Sequence, residues 1–386
     1  VFIKFSGVLN DVFRNIKQKK KKSKIKINPT NLSIMKKILS LIALAVISVG
    51  AFAQKLDKAE ARQLKAFFAQ TAEKDGTNAN ALKVSDVNNL AAVEGLTIEG
   101  GHVTAIEWKD KNLAGSLDLS GFKALKKVDV SRNRISSIDV SDNPVLADFN
   151  ASRNVLTAVN FANCPALTKI AVYKNRLTDV SLETVPMLEN LNVSNNLFVE
   201  LNVSNTKSLK TLNCQGCHLE TLMVSGCTNL QNLYCGYNKL TSLNLFGVEN
   251  LQNLNIDDNE ITTMIVSGLP ALSTFVCSDN RMTTLGVRNC DRLIDLVCSY
   301  NDLTNLSVEG CPNLTFVDCS YNDLTQLDLS NLTFLQRLLC NNNQLNTLDV
   351  SFDSALVYVN CRYNFITDFR TIGCNNLRMV ACQWNF

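Results

Sequence analysis

The sequence predicts a solenoid, a stack of short coils, and three observations carry that expectation. Asparagine recurs at one fixed step, Asn133, Asn154, Asn175 and on to Asn385, filling twelve of thirteen positions with no insertion or deletion. Leucine fills all twelve positions thirteen places further on, from Leu146 to Leu377. The apolar residues between them keep one pattern, as in Leu296-Val-Cys298-Ser-Tyr-Asn301-Asp-Leu303-Thr-Asn-Leu306-Ser-Val308. A fixed period of roughly 20 residues marks units that cannot bury their apolar face alone and must stack on one another.

From the N-terminus, residues 1–34 hold a lysine cluster, Lys19 to Lys26, and no apolar periodicity. They read as translated upstream sequence ahead of a natural start at Met35. Residues 35–53 have the layout of a signal peptide. Lys36 and Lys37 are followed by an apolar run from Ile38 to Val49 and by Ala51-Phe52-Ala53. The run is short for a membrane span, and no second one follows. Cleavage is expected between Ala53 and Gln54, giving a secreted protein, whether extracellular, on the cell surface or periplasmic. Gln54 is not cysteine, so a lipid anchor is not indicated.

Removing residues 1–53 changes the charge. They carry 11 of the 38 basic residues and 1 of the 35 acidic ones, so the remainder holds 27 and 34, a net of −7. An acidic mature chain argues against nucleic acid as a partner. Residues 55–71 read as an amphipathic helix with Leu56, Leu64, Phe67 and Phe68 on one side. Residues 54–102 are expected to cap the apolar end of the first coil, and residues 103–386 to form the stack. The first unit places Lys111 at the asparagine position, one place more than a full period before Asn133. Phe386 lies one residue past the last asparagine, which is compatible with a truncated C-terminus.

Within a coil, apolar residues five and three before the asparagine alternate with polar ones, as in a short strand with two side chains inward. The chain then turns and runs back in an extended piece. The asparagine sits where the strand ends and backbone groups lose ladder partners. An amide side chain supplies both a donor and an acceptor there, where an unpaired buried group would cost about 1–3 kcal/mol. The unit LxxLxCxxNxL resembles that of leucine-rich repeat proteins, and most closely the cysteine-containing repeats of equal length in the internalin family, internalin J-type above all. The resemblance covers residues 103–386. It implies a curved parallel β-sheet on a concave, protein-binding face, with short extended or 3-10 return segments and a helical N-terminal cap.

All fourteen cysteines obey the repeat. Eight lie three places before the asparagine, from Cys214 to Cys382, and five lie ten after it: Cys164, Cys227, Cys290, Cys311 and Cys374. Cys217 replaces the asparagine itself. In-register side chains on neighbouring parallel strands stand about 4.8 Å apart, whereas a relaxed disulfide wants Cβ atoms near ~3.8 Å. Free buried thiols are therefore expected.

The stretch Cys214-Gln215-Gly216-Cys217-His218 matches the attachment pattern of a c-type haem. With Cys227 it also invites a zinc site. The repeat register argues against both, because Cys214 is a core rung and His218 faces outward, so no cofactor and no metal is expected. There is no phosphate loop or nucleophile elbow. Asp129, Asp318 and Asp328 read as solvated outward positions. No catalytic residue is assigned.

The seven tyrosines avoid the core rungs. Tyr237, Tyr300, Tyr321 and Tyr363 precede the ladder asparagine, joined by Trp384, while Tyr358 and Phe316 stand six before it. These seven residues are the candidate ligand-binding set. The opposite end of the row is basic, with Arg132, Arg153 and Lys174. Rigid exposed aromatics mark recognition surfaces. The alternative is that each ring simply packs on the next. The function expected is a non-catalytic binding or adhesion module for a protein of a host or of the envelope, with a glycan-binding module as the alternative.

Overall fold

The computed structural model describes residues 56–385, apart from 75, 331 and 352. The expected signal peptide, its expected cleavage site and the lysine cluster lie outside the described residues. The chain is a parallel β-solenoid. Most coils give a three-residue strand to a fifteen-stranded sheet running from Leu96–Glu99 to Met379–Ala381. The first pair, Leu96–Glu99 with His102–Glu107, is antiparallel, and the later pairs are parallel with identical register. Leu233 thus stands beside Leu254, and Phe275 beside Leu296.

The return segments are extended, and several pair into small sheets of their own, such as Thr263–Ser267 with Thr284–Arg288 and Asn305–Ser307. Each return closes in a single 3-10-type turn, as where the Leu293 N–H donates to Cys290 O at 3.0 Å, and the one 3-10 helix among the described residues, Leu90–Ala92, precedes the stack. Asp139, Asn160, Asn202 and Asp349 each accept the N–H two residues on, and the resulting tight turn ends an extended strand.

At the N-terminal end a helix, Lys58–Phe68, begins at Asp57, whose carboxylate accepts the N–H groups of Ala59 and Glu60. It buries Leu64, Phe67 and Phe68, with the Phe67 ring stacked 6.0 Å from that of Trp108. The Asn78 side chain bonds the backbone of Phe67 and Ala114, joining helix to first coil. The buried Glu60 carboxylate accepts the Val103 N–H and pairs with His102 at 3.0 Å. That hydrogen bond raises the His102 pKa.

Between strand and return lies a repeated clamp. Asn301 Nδ2 donates to Cys298 O in its own coil and to Cys277 O in the coil before, at 3.3 and 3.0 Å. Its Oδ1 accepts the Met282 N–H at 3.0 Å. Asn154, Asn175, Asn196, Asn238 and Asn322 repeat this geometry.

Cys217 performs half of the task. Its thiol meets Val193 O at 3.2 Å, the bond an asparagine amide would make. A thiol gives no counterpart to the amide oxygen, which would accept the Phe198 N–H. The backbone adapts. Cys217 N–H turns to Asn238 Oδ1, and His218 enters the left-handed region at φ 65°. Lys111, also not asparagine, does the same through Asn133 Oδ1, with Asn112 at φ 57°.

A second ladder runs along the far side of the coils. Asn143 Nδ2 donates to Leu119 O, in the coil before, at 2.9 Å. The thiols of Cys164, Cys227, Cys311 and Cys374 make the same contact, at 2.9, 3.0, 3.5 and 2.8 Å. These cysteines are small donors as well as core residues. Asp353 occupies the same column, is buried, and has no partner for Oδ2. Burial, reinforced by Asp349, pushes its pKa up to about 6. The cysteines three places before the asparagine are buried from Cys214 to Cys361, and all fourteen thiols are free. Cys382, on the last described coil, is instead exposed, because no further described strand covers it.

Three outcomes follow from these ladders. Cys217→Asn should stabilise the chain by about 0.5–1.5 kcal/mol in urea unfolding, because the missing acceptor returns. An Asp whose folded pKa is raised contributes stability below its unfolded value that is lost as pH rises through the folded one. For Asp353 that window runs from about 4 to about 6. Asp353→Asn should therefore raise stability in urea at pH 7.5, by roughly 1–2 kcal/mol, and change it little at pH 4. Finally, burial pushes Cys319 up to about 12 and Cys217 and Cys361 up to about 11. A thiol reagent should then label half-buried Cys374 slowly and reach the cysteines from Cys164 to Cys361 only after denaturation.

Candidate ligand-binding face

Each strand gives way to a turn, which in many coils the last strand residue builds. Asp129, Asn150, Asn192, Asn213, Asp318 and Asn360 each accept the backbone N–H two residues on. Asp129 and Asp318 also take the Ser131 and Ser320 hydroxyls at 2.6 Å. These aspartates, with Asp328 on a return segment, are turn builders and not simply solvated positions.

The turn forces the next residues into an unusual backbone. In every coil from Asn133 onward, the residue before the ladder position has positive φ. Asn195, Asp258, Asp279, Asn342 and Gly216 suit such a site. Tyr237, Tyr300, Tyr321, Tyr363 and Trp384 do not, yet they hold φ of 53–64° there. The five aromatics thus stand past the strand, in the turn bordering the sheet. The sequence placed them between core rungs on the concave strand surface, and the left-handed turn moves them to its edge.

They are also exposed: Tyr237 by 57%, Tyr300 by 51%, Tyr321 by 43%, Tyr363 by 51% and Trp384 by 70%. Two pairs form. The Tyr300 and Tyr321 rings stack at 4.3 Å and 9°, and Tyr363 stacks on Trp384 at 5.7 Å and 8°. Packing and exposure therefore coexist: each stacked ring covers its neighbour and still presents about half its surface or more.

Phe316 and Tyr358 do lie on strands, at the start of each, and both are half-buried. Arg337, on the strand between them, holds its guanidinium 5.2 Å from the Phe316 ring and 5.9 Å from that of Tyr358. Sequence reasoning missed Arg337, although its place one full period from each aromatic was readable. The seven candidates thus fall into a sandwich, two stacks and Tyr237 alone, three coils before Tyr300.

Charge is segregated along the strand and turn positions. The coils of Asn133, Asn154 and Asn175 carry Lys127, Arg132, Arg153, Lys169 and Lys174 against Asp129 and Asp148. Those of Asn238 to Asn322 carry Asp257, Asp258, Asp279, Asp295 and Asp318 and no basic residue. The Asp257 carboxylate presses on the neighbouring coil at Gly236, where a Cβ would lie 2.1 Å from Oδ1. Burial raises its pKa, and its charge raises that of Tyr237. Bonding to Tyr321 raises Tyr300.

The haem-like stretch is taken apart by the fold. Cys214 and Cys217 are buried and point to different carbonyls, Tyr234 O and Val193 O, while His218 is exposed. Cys227 turns to Val203 O on the other ladder, so no common centre exists for these four.

No family model matches the chain, and no curated protein matches it. Solved structures do. The functional domain of InlJ from Listeria monocytogenes, described as including a cysteine ladder, is 25% identical over 70% of this chain and 72% of that one, with a TM-score of 0.42. YopM, a leucine-rich effector protein from Yersinia pestis, is 22% identical over 70% and 77%, with a TM-score of 0.57. A chain of the LRIM1/APL1C complex is 21% identical over 68% of this chain and 54% of that one, with a TM-score of 0.51. The ladders, the parallel sheet and the latter two likenesses agree: the chain has the leucine-rich repeat fold, with a cysteine ladder in its core.

Proposed function

We propose that this chain is an exported, non-catalytic binding module that recognises a protein through the aromatic border of its concave sheet. One observation carries the proposal. Five aromatic residues occupy a left-handed backbone position that asparagine or glycine would fill at lower cost. For an ordinary L-residue that conformation costs roughly 1 kcal/mol or more, and such outliers point to function. Stacking returns part of the cost, about 0.5–1.5 kcal/mol per pair. Half-exposed tyrosine, tryptophan and arginine are the residues on which protein interfaces concentrate their energy. The LRIM1/APL1C neighbour is itself part of a two-protein complex.

Export rests on the layout of residues 35–53. Among the described residues no helix is long and apolar enough to cross a membrane. The protein partner would come from a host or from the envelope. In the glycan alternative the ring faces would stack on sugars, but the Tyr300–Tyr321 stack at 4.3 Å leaves no room for a sugar between those two rings.

The triple variant Tyr300→Asn, Tyr321→Asn and Tyr363→Asn tests the proposal. Asparagine suits the left-handed backbone, so urea unfolding should change by no more than about 1 kcal/mol. Capture of a partner from host or envelope extracts should be lost, since one interface hot spot carries at least about 2 kcal/mol. Leu314→Ala is the control for a packing role and should cost about 2–5 kcal/mol of stability. A triple variant that unfolds like the Leu314 variant would make the tyrosines packing residues. Unchanged capture would move the site to Arg132, Arg153 and Lys174, and a glycan-array signal lost in the variant would favour the sugar alternative.

A further inference from the structure

The central coils combine two features that the binding face does not require together. Tyr237, Tyr300 and Tyr321 present ring surface to solvent, and five carboxylates lie on the same strands and turns. Asp258 and Asp279 stand in the turns between Tyr237 and Tyr300, while Asp295 and Asp318 stand on the strands of the Tyr300 and Tyr321 coils. Asp257 sits beside Tyr237, and its Oδ1 lacks a hydrogen-bond partner.

Several carboxylates of the chain are paired with bases. Lys127 pairs with Glu107, Lys210 with Glu189, Arg281 with Glu260 and Arg370 with Asp349 and Asp368. Among the described residues, none of the five central aspartates forms an ion pair with a lysine or arginine. Five carboxylates over five successive coils give these positions a field of one sign that no lysine or arginine in ion-pair contact offsets. On both sides the same positions turn basic, with Lys169 and Lys174 before and Arg337 and Arg362 after. The negative zone is therefore bounded along the stack.

The chemistry that complements it is specific. A guanidinium or ammonium group is attracted to the face of a tyrosine ring and to a carboxylate beside it. The chain already shows the first contact internally, with Arg337 over Phe316 and Tyr358 and Arg153 over Tyr173. We infer that the coils from Asn238 to Asn322 dock an arginine- or lysine-bearing segment of the protein partner, its cations lying over Tyr237, Tyr300 and Tyr321 and beside Asp258, Asp279 and Asp295. This rests on the protein-binding reading above and adds the charge of the partner to it.

The test titrates the full chain with octa-arginine and octa-glutamate peptides, by calorimetry and tyrosine fluorescence, at low and physiological salt. Octa-arginine should bind, more weakly as salt rises, and octa-glutamate should not perturb the tyrosines. The isosteric variant Asp258→Asn, Asp279→Asn and Asp295→Asn should weaken octa-arginine at least tenfold, and Tyr300→Asn with Tyr321→Asn at least fivefold. A control with the same charge change on exposed positions off the face, Glu183→Gln, Glu200→Gln and Glu249→Gln, should change affinity less than twofold. Equal losses in the control and the aspartate variant would show attraction to net charge alone and overturn the inference, as would an aspartate variant that binds like the parent. Partner capture separates the two readings. If the tyrosine variant loses capture and the aspartate variant keeps it, the cationic segment is wrong and the aromatic face stands. If both keep it, both fall.

Discussion

The constraint on which the structure depends is the backbone at the end of each strand. A three-residue strand leaves carbonyl and amide groups without ladder partners, buried inside the stack. Asparagine at the same position in successive coils closes these bonds three at a time, linking each coil to the one before it. The clamp reaches back to two fixed points of the preceding coil, as Asn301 does to Cys277 and Met282. An inserted or deleted residue would break both bonds at once. That explains why the period holds without a slip from Asn133 to Asn385 while exposed positions vary freely.

The same constraint accounts for much of the remaining chemistry. To deliver the asparagine, the chain turns sharply, and the turn places the preceding residue in the left-handed region. Those positions form a continuous line along the border of the sheet, one per coil, outside the core and spaced by the strand repeat. Whatever residue stands there is displayed at low cost in packing and at some cost in backbone energy. Aromatics gather in the C-terminal coils, carboxylates in the centre and basic residues in the first three. A solenoid thus converts a one-dimensional sequence pattern into a surface with zones.

The fold was largely legible in the sequence, because its cause is periodic and its spacing survives without insertions. The thiols were readable from parallel-strand geometry, since the register that aligns Cys298 with Cys277 also holds them too far apart to bond. What was not legible depended on directions rather than spacings. The second ladder escaped because Cys164 and Cys374 look like core hydrophobes until their thiols are seen to face carbonyls of the preceding coil. The turn role of Asp129 and Asp318 escaped because Asx bonds are local and leave no period distinct from the repeat. The aromatic row was found but misplaced, since positive φ at non-glycine residues gives no signal in composition.

Cys217 and Asp353 show what the two ladders tolerate. Each ladder demands a donor toward the preceding coil, and only the asparagine ladder also demands an acceptor. A thiol therefore suffices at Cys164 or Cys374, whereas at Cys217 the backbone itself must turn to recover a bond, which drives His218 left-handed. Asp353 fails in the opposite way, since an ionised carboxylate has acceptors and no donor. Protonation would make it resemble Asn143, and this is the physical sense of its raised pKa. Departures from the repeat are thus graded by how many of the missing bonds the substitute can still make. The tyrosines lie outside that grading altogether, because their side chains make none of the ladder bonds, and a residue there is free to serve a partner.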